Sequence, residues 1–260
     1  MAITTSTWTP PAILDVEDYR KAFEIISGCH DASTLAQFRE GLVEALCRHL
    51  DVSNVSFFSG STFHLVFEDT TPLTSGMTAK MLPEYQERWA SHDVFGSPPA
   101  VRQLLTSSVA SLAELENQHR LPSSSEAYVR HFLHERWHVG SAAGMRLPLA
   151  GGRIALIGLF GKNAADLGPH EIGVLRLVGQ QLAPVTKRLP IEPALQAVRN
   201  LTGRQREVVK LVADGQSNAQ IADILCIAED SVKKYVTRIL HQTGCQSRLE
   251  LALIARDATL

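Results

Sequence analysis

Ser217-Asn-Ala-Gln-Ile-Ala-Asp-Ile-Leu-Cys-Ile-Ala-Glu-Asp-Ser-Val-Lys-Lys-Tyr-Val-Thr-Arg-Ile-Leu240 decides what the C-terminal part of this chain is. Ser217 with Gln220 is an S-x-x-Q capping box: the hydroxyl takes an orphan backbone N–H and the Gln reaches back. Ile221, Ala222 and Leu225 then form an apolar stripe, and Cys226-Ile227 reads as a tight turn. Beyond it Val232, Val236, Ile239 and Leu240 recur at i, i+4, i+7 and i+8. The opposite face of that second helix carries Lys233, Lys234, Thr237, Arg238 and His241, and its start is acidic, Glu229-Asp230, as suits the positive end of a helix dipole. Two short helices about a tight turn, the second with a cationic outer face over about 218–237, predict a helix-turn-helix whose second helix enters the DNA major groove.

Working outward, Thr202 with Gln205 and Ser247 with Glu250 are further capping boxes. Gly215 and Gly244 stand where helices stop, because Gly enters the left-handed conformation without a Cβ clash. Four short helices follow, with Val208, Leu211 and Val212 as the stripe of the first. Charge alone does not settle the function: from Arg199 onward nine Lys+Arg stand against seven Asp+Glu, a balance of +2.

Leu-Thr-x-Arg at 201–204, Ala-x-Gly-x-Ser-Asn at 213–218, Ile-Ala at 221–222, Ser-Val-Lys at 231–233 and Ser-Arg-x-Glu-Leu at 247–251 together resemble the C-terminal DNA-binding domain of LuxR-family transcription regulators. Spaced matches over fifty residues are far more specific than one short pattern. The resemblance implies that Lys233, Lys234 and Thr237 approach base edges and that flanking polar groups hold phosphates. The candidate DNA contacts are therefore Asn218, Ser231, Lys233, Lys234, Thr237, Arg238 and His241. The chain departs from the family pattern at Gln205, Val209, Ala228, Tyr235 and Thr237.

The whole chain has 260 residues, room for roughly two domains. Its composition, 45% hydrophobic and 20% charged, suits a globular protein with a sizeable core. The net charge of −2 leaves −4 on the first 198 residues once the module's +2 is removed, so nucleic-acid affinity is local to the module. Cys29, Cys47, Cys226 and Cys245 are widely spaced and read as buried reduced thiols. No apolar run approaches the ~20 residues of a membrane span and no signal sequence opens the chain, so a cytoplasmic protein with no membrane partner is expected.

In the N-terminal part, Val16, Tyr19, Phe23 and Ile26 predict a helix over Val16–Gly28, and Leu35, Phe38, Leu42 and Leu46 a second over Ser33–Leu50. Val55–Ser59 and Phe63–Phe67 read as strands of a hairpin turning at Ser59-Gly60-Ser61. Helices follow over Ala79–His92 and Ala100–Leu105, and a capping box at Ser123 and Glu126 opens another to about Trp137. Gly144–Leu149 and Ile154–Phe160 are the clearest strands, and Pro169 starts a helix with Ile172, Leu175, Val178 and Leu182 on its inner face. The expected fold class is an α+β sensor domain, an antiparallel sheet with flanking helices of GAF or PAS type, over residues 1–188. A linker over 189–198, marked by Pro190 and Pro193, leads to the all-α four-helix module over 199–260.

Sheets of this kind often enclose a small-molecule pocket. Tyr85 and Trp89, then Pro98-Pro99-Ala100-Val101, then Gly144-Met-Arg-Leu-Pro-Leu149, resemble the autoinducer-binding domain of quorum-sensing LuxR proteins, with the two aromatics exchanged. Pro98 stands where that family's Asp accepts the amide of an acyl-homoserine lactone. Tyr85, Trp89 and Asp93 are the candidate ligand contacts; the plainer alternative is that the i, i+4 aromatic pair packs helix on sheet.

One motif points to another class. His134-Glu135-Arg136-Trp137-His138 is a literal H-E-x-x-H, the pattern of a zinc hydrolase, or of a zinc sensor, if a helix runs through both histidines and a third ligand follows. Gly140 stops the helix almost at once, and His170 and Glu171 are the nearby downstream candidates. The reading is therefore a non-enzymatic transcription regulator with no catalytic or metal residues and no cofactor. Its expected partners are double-stranded promoter DNA, a small-molecule effector and a second copy of itself.

Overall fold

The computed structural model describes residues 13–69, 71–118, 121–190, 193–245 and 247–258. It divides into two units, Met1–Pro190 and Ile191–Leu260. In chain order the first holds α1 (Val16–Ser27), α2 (Leu35–His49), β1 (Asn54–Gly60), α3 (Phe63–Val66), β2 (Leu73–Thr74) and α4 (Thr78–Glu84). A π-helical turn over Tyr85–Trp89 continues α4; then come α5 (Pro98–Ser107), β3 (Val109–Ser111), α6 (Leu112–Gln118), α7 (Ser123–Ala127), a π-helical stretch Tyr128–Arg136, β4 (Ser141–Pro148), β5 (Ile154–Gly161) and α8 (Pro169–Thr186). The second unit holds α9 (Pro193–Arg199), α10 (Gly203–Ala213), α11 (Asn218–Leu225), α12 (Glu229–Thr243) and α13 (Arg248–Asp257).

Every residue of β5 is buried, as its unbroken apolar run demands of a central strand covered on both faces. The antiparallel sheet runs β2-β1-β5-β4-β3. Its register, with Phe57 opposite Ile157 and Met145 opposite Ile157 on the other side, sorts alternate side chains to opposite faces. Val55, Phe57, Ala143, Met145, Ile157 and Leu159 join one core with α1, α2 and α8. Phe58, Ala142, Leu156 and Phe160 join a second core with the side chains of residues 66–139. The α+β class is as expected, and the sheet is covered on both faces.

Four readings are corrected or completed. Phe63–Phe67 is not a strand: Thr62 accepts the Leu65 N–H as an N-cap and Phe63 meets Phe67 edge-on one turn later, at 5.8 Å between ring centroids. A Phe-His-Leu-Val-Phe run satisfies both the period-2 and the i, i+4 pattern, and the cap decides. β1 therefore has no hairpin partner there; it pairs with β2 and β5. Second, α1 turns its large apolar side chains outward, Val16, Tyr19 and Phe23 being 85%, 56% and 69% exposed, while Asp18, Ala22 and Ile25 face the core. Asp18 is drawn inward by the His170 imidazole of α8, whose Nδ1 donates to it at 2.6 Å. Third, Ser123 caps nothing: the extended Pro122 is the N-cap and no side chain bonds to it. Fourth, residues 193–198 of the expected linker are helical, as part of Pro193–Arg199, and Leu195 and Val198 are buried in the second unit's core; Ile191 and Glu192 lie outside the described residues.

Cys29 and Cys245 are buried as expected and burial pushes the Cys29 thiol up to about 12, but Cys47 is half-buried and Cys226 is exposed in a left-handed turn. No helix among the described residues is long and apolar enough to cross a membrane.

Candidate nucleic-acid interface and ligand cavity

The second unit is built from its caps. Thr202 and Ser217 each form the full reciprocal box, the Thr202 amide donating to Gln205 at 3.0 Å and the Ser217 amide to Gln220 at 2.7 Å. Ser247 accepts the Glu250 amide. Gly215 and Gly244 sit at φ +77° and +74°, where the helices stop. Between α11 and α12, Cys226 takes φ +52°, ψ +48°, a left-handed turn that lets the two helices cross.

α12 buries Val232, Val236 and Ile239 and leaves Lys233, Lys234, Thr237, Arg238 and His241 exposed. Its first turn has no side-chain cap; Glu229 and Asp230 supply negative charge there instead. The same carboxylates hold Lys233, whose Nζ lies 3.2 Å from Asp230 and 3.4 Å from Glu229, and the Asp230 hydrogen bond above all raises the Lys233 pKa. Ser231 is half-buried in the first turn. Asn218 is committed elsewhere: its Oδ1 accepts from Arg248 at 2.9 Å, while the other arm of Arg248 bonds the Gln216 carbonyl, tying the start of α11 to α13. Arg204 likewise donates to the Leu225 carbonyl at 2.9 Å and closes the end of α11. Sequence reasoning missed both clamps. Arg204 and Arg248 are members of the Leu-Thr-x-Arg and Ser-Arg-x-Glu-Leu patterns, so the signal was present without its meaning.

In the first unit, the face of the sheet carrying Ser56, Phe58, Leu156, Gly158 and Phe160 lies under a cavity of about 40 Å³, roofed by Phe67, Met81, Tyr85 and Phe132. That is room for roughly three waters. Gly158 keeps the floor low, since a Cβ there would lie 2.7 Å from Ser56 Oγ. The polar point is Asp93. It accepts from the Phe95 amide at 2.8 Å, from the Tyr85 hydroxyl at 2.8 Å and from the Tyr128 hydroxyl. Burial pushes its carboxyl up to about 6, against the pull of those three donors. Burial also holds Tyr85 and Tyr128 well above the ordinary tyrosine range, so both remain donors. Trp89 does not line the cavity. It packs beside it, 5.8 Å from the Phe132 ring and 6.2 Å from Tyr128, with its indole N–H unpartnered. The structure thus brings Tyr85 and Asp93 together, leaves Trp89 in the packing role, and adds Tyr128, which no spacing in the sequence links to them.

The His-Glu-x-x-His stretch does not assemble. Tyr128–Arg136 is π-helical, which breaks the one-face placement of residues four apart, and His138 lies past the helix end at φ +52°. His134 Nδ1 donates to the Val139 carbonyl at 2.8 Å and His131 pairs with Glu135 at 2.7 Å. His170 belongs to Asp18 instead; with Asp15 they form the only His/Cys/Asp/Glu trio within metal-ligand reach among the described residues.

Residues 199–255 match the family model described as bacterial regulatory proteins, luxR family. The C-terminal unit is a LuxR-type helix-turn-helix domain. The chain is similar to the probable transcriptional regulator ycf29 of Guillardia theta, 30% identical over 82 residues, 32% of this chain and 39% of that protein. It is also similar to the DNA-binding transcriptional activator DevR/DosR of Mycobacterium tuberculosis, 39% identical over 57 residues, 22% of this chain and 26% of that protein. The chain thus spans well under half the length of these curated relatives. Among solved structures it is similar to Escherichia coli SdiA, with a TM-score of 0.45 and 14% identity over 93% of this chain and 98% of that one.

Proposed function

We propose that the protein is a cytoplasmic transcription regulator that binds promoter DNA as a homodimer, residues 1–188 sensing a small-molecule effector and the LuxR-type domain over 199–260 holding the DNA. The observation that carries this reading is α12: an apolar face locked onto the core, and beside it an exposed row of Lys233, Lys234, Thr237, Arg238 and His241. A helix of that kind fits the major groove with side chains near its N-terminus over base edges. α13 supports pairing, because Leu249 is 69% exposed and Ala252 is half-buried, leaving an apolar edge for a second copy. The sensing role rests on the cavity and its one polar cluster at Asp93. Nothing in the reading requires catalysis; the relatives that match the second unit are named as regulators.

The test is selection of bound sequences from a random DNA library with the purified protein. Enrichment of an imperfect palindrome with half-site centres about 10 bp apart, or a multiple of that, is expected. Enrichment of a single unpaired site contradicts the dimer, and no enrichment at all contradicts the DNA-binding reading.

A further inference from the structure

The exposed face of α12 begins with an acid. Asp230, Lys233, Lys234, Thr237 and His241 stand at i, i+3, i+4, i+7 and i+11, so they share one side of the helix, and all five are exposed. The cationic row therefore has a carboxylate at its head, in the turn whose side chains lie over base edges when such a helix enters the groove. The Asp230 side chain is 83% exposed, and its Oδ1 lies 3.2 Å from the Lys233 Nζ. Among the described residues no carboxylate lies within ion-pair distance of Lys234, Arg238 or His241, so Lys233 is the cation of this face that arrives with a partner. The helix dipole favours an acid at the start of α12, but Glu229 already supplies one, about 100° round the helix from Asp230. A second carboxylate on the reading face is repelled by the phosphates on either side of the groove. What it can do there is accept from a base amino group. We propose that Asp230 and Lys233 act as a unit that reads one C·G base pair, Asp230 accepting from the cytosine amino group and Lys233 donating to the guanine. The unit rests on the DNA-binding reading of α12 and gives that helix a base preference.

Spacing and flanking groups select the pair. On the major-groove edge of C·G the cytosine N4 donor and the guanine O6 acceptor are bonded to each other, about 3 Å apart. The carboxylate and ammonium, 3.2 Å apart, meet them as acceptor to donor and donor to acceptor while staying together. Guanine N7, beside O6, is a second acceptor for the ammonium, whereas nothing beside cytosine N4 repels the carboxylate. An A·T pair also sets a donor beside an acceptor, N6 beside O4. There, however, adenine N7 faces the carboxylate and the thymine methyl faces the ammonium, so both flanks are wrong. Turning the C·G pair round sets the carboxylate against O6 and N7 of guanine. The unit thus fits cytosine under Asp230 and guanine under Lys233.

The experiment is titration of the selected DNA and each of its single-base variants with the full-length protein and with Asp230→Ala, Asp230→Asn, Glu229→Gln and Lys233→Ala. Asp230→Ala should lower the preference for cytosine about tenfold, at the same base pair that Lys233→Ala flattens. An Asn amide bonds adenine through N6 and N7, so Asp230→Asn should move that position from cytosine toward adenine. Glu229→Gln, off the row, should leave base preference unchanged. Each preference is a ratio of two affinities of one variant, so a less stable start of α12 does not imitate these results. Cytosine preference unchanged in Asp230→Ala and Asp230→Asn overturns the assignment, and so does a loss at a different base pair from the one Lys233→Ala flattens. If the unaltered protein enriches a sequence and the Asp230 variants read it as before, the unit falls while DNA binding stands. If the unaltered protein enriches no sequence, both fall.

Discussion

The two units of this chain use their cores in opposite ways. In the second, buried Val232, Val236 and Ile239 serve to hold α12 rigid so that its polar residues project outward. In the first, the polar residues of interest point inward, with Asp93 ringed by two tyrosine hydroxyls and an amide beside an apolar cavity. The difference follows from the partners each would take. A DNA duplex is large and anionic and cannot be enclosed, so cations must be displayed on a stiff support. A small apolar molecule gains by being enclosed and is oriented by one or two fixed hydrogen bonds.

The comparison breaks most visibly through the first unit's core. Phe132 is fully buried and touches Tyr85, Trp89, Tyr128 and Trp137. Phe132→Ala should cost about 3–5 kcal/mol. Urea unfolding should show the first unit's transition moved and the helical module's unchanged; a loss below ~1 kcal/mol would mean the aromatic cluster is not the support of the cavity. Next, Ser217→Ala removes a reciprocal capping box at the start of α11 and should destabilise the isolated transition of the second unit by about 1 kcal/mol. The same change at Ser123, which caps nothing, should be near neutral.

A smaller effect is expected at Arg238, exposed on α12. Arg238→Ala should weaken binding to all DNA sequences alike and reduce the salt slope by about one, measured by titration at several ionic strengths. Sequence-selective loss would move Arg238 from the phosphate row to the base-reading row. The smallest effect is a pH dependence confined to the first unit. The Asp18 hydrogen bond raises the His170 pKa, so that contribution is complete below the unfolded value of about 6.5 and is lost as pH rises through the folded pKa. Burial raises the Asp18 carboxyl, but the hydrogen bonds from His170 and the Asp15 amide outweigh it, so its contribution is lost only as pH falls below the usual carboxylate range. The pair thus stabilises most between about pH 4 and 6.5. The fall in melting temperature as pH rises above that window, or drops below it, should shrink in His170→Ala; an unchanged profile would show that the pair is inert.

The second unit could be read almost residue by residue because its determinants are local. Capping boxes, stop glycines and stripes act over three or four positions, so Thr202, Ser217 and Gly244 carry their meaning in their neighbours. The first unit depends on distant partners. Tyr128 reaches Asp93 across thirty-five residues of chain (128 minus 93), and Asp18 is buried because of His170, 152 positions away. The strand β5 was legible, since an unbroken apolar run has few other uses, whereas the two residues of β2 and three of β3 carry no periodicity at all. The outward face of α1 stayed open for the same reason: period alone says which residues share a face and not which face is inside.

The central claim is that α12 reads DNA, and the most direct measurement is titration of Lys233→Ala against the selected sequence and against each single-base variant of it. Lys233 stands in the first turn of α12 with Thr237 one turn on. The account predicts a loss on the order of 1–3 kcal/mol per half-site, with discrimination flattened at one base pair and retained at the others. Unchanged affinity together with unchanged base preference would contradict it and assign the groove to another helix.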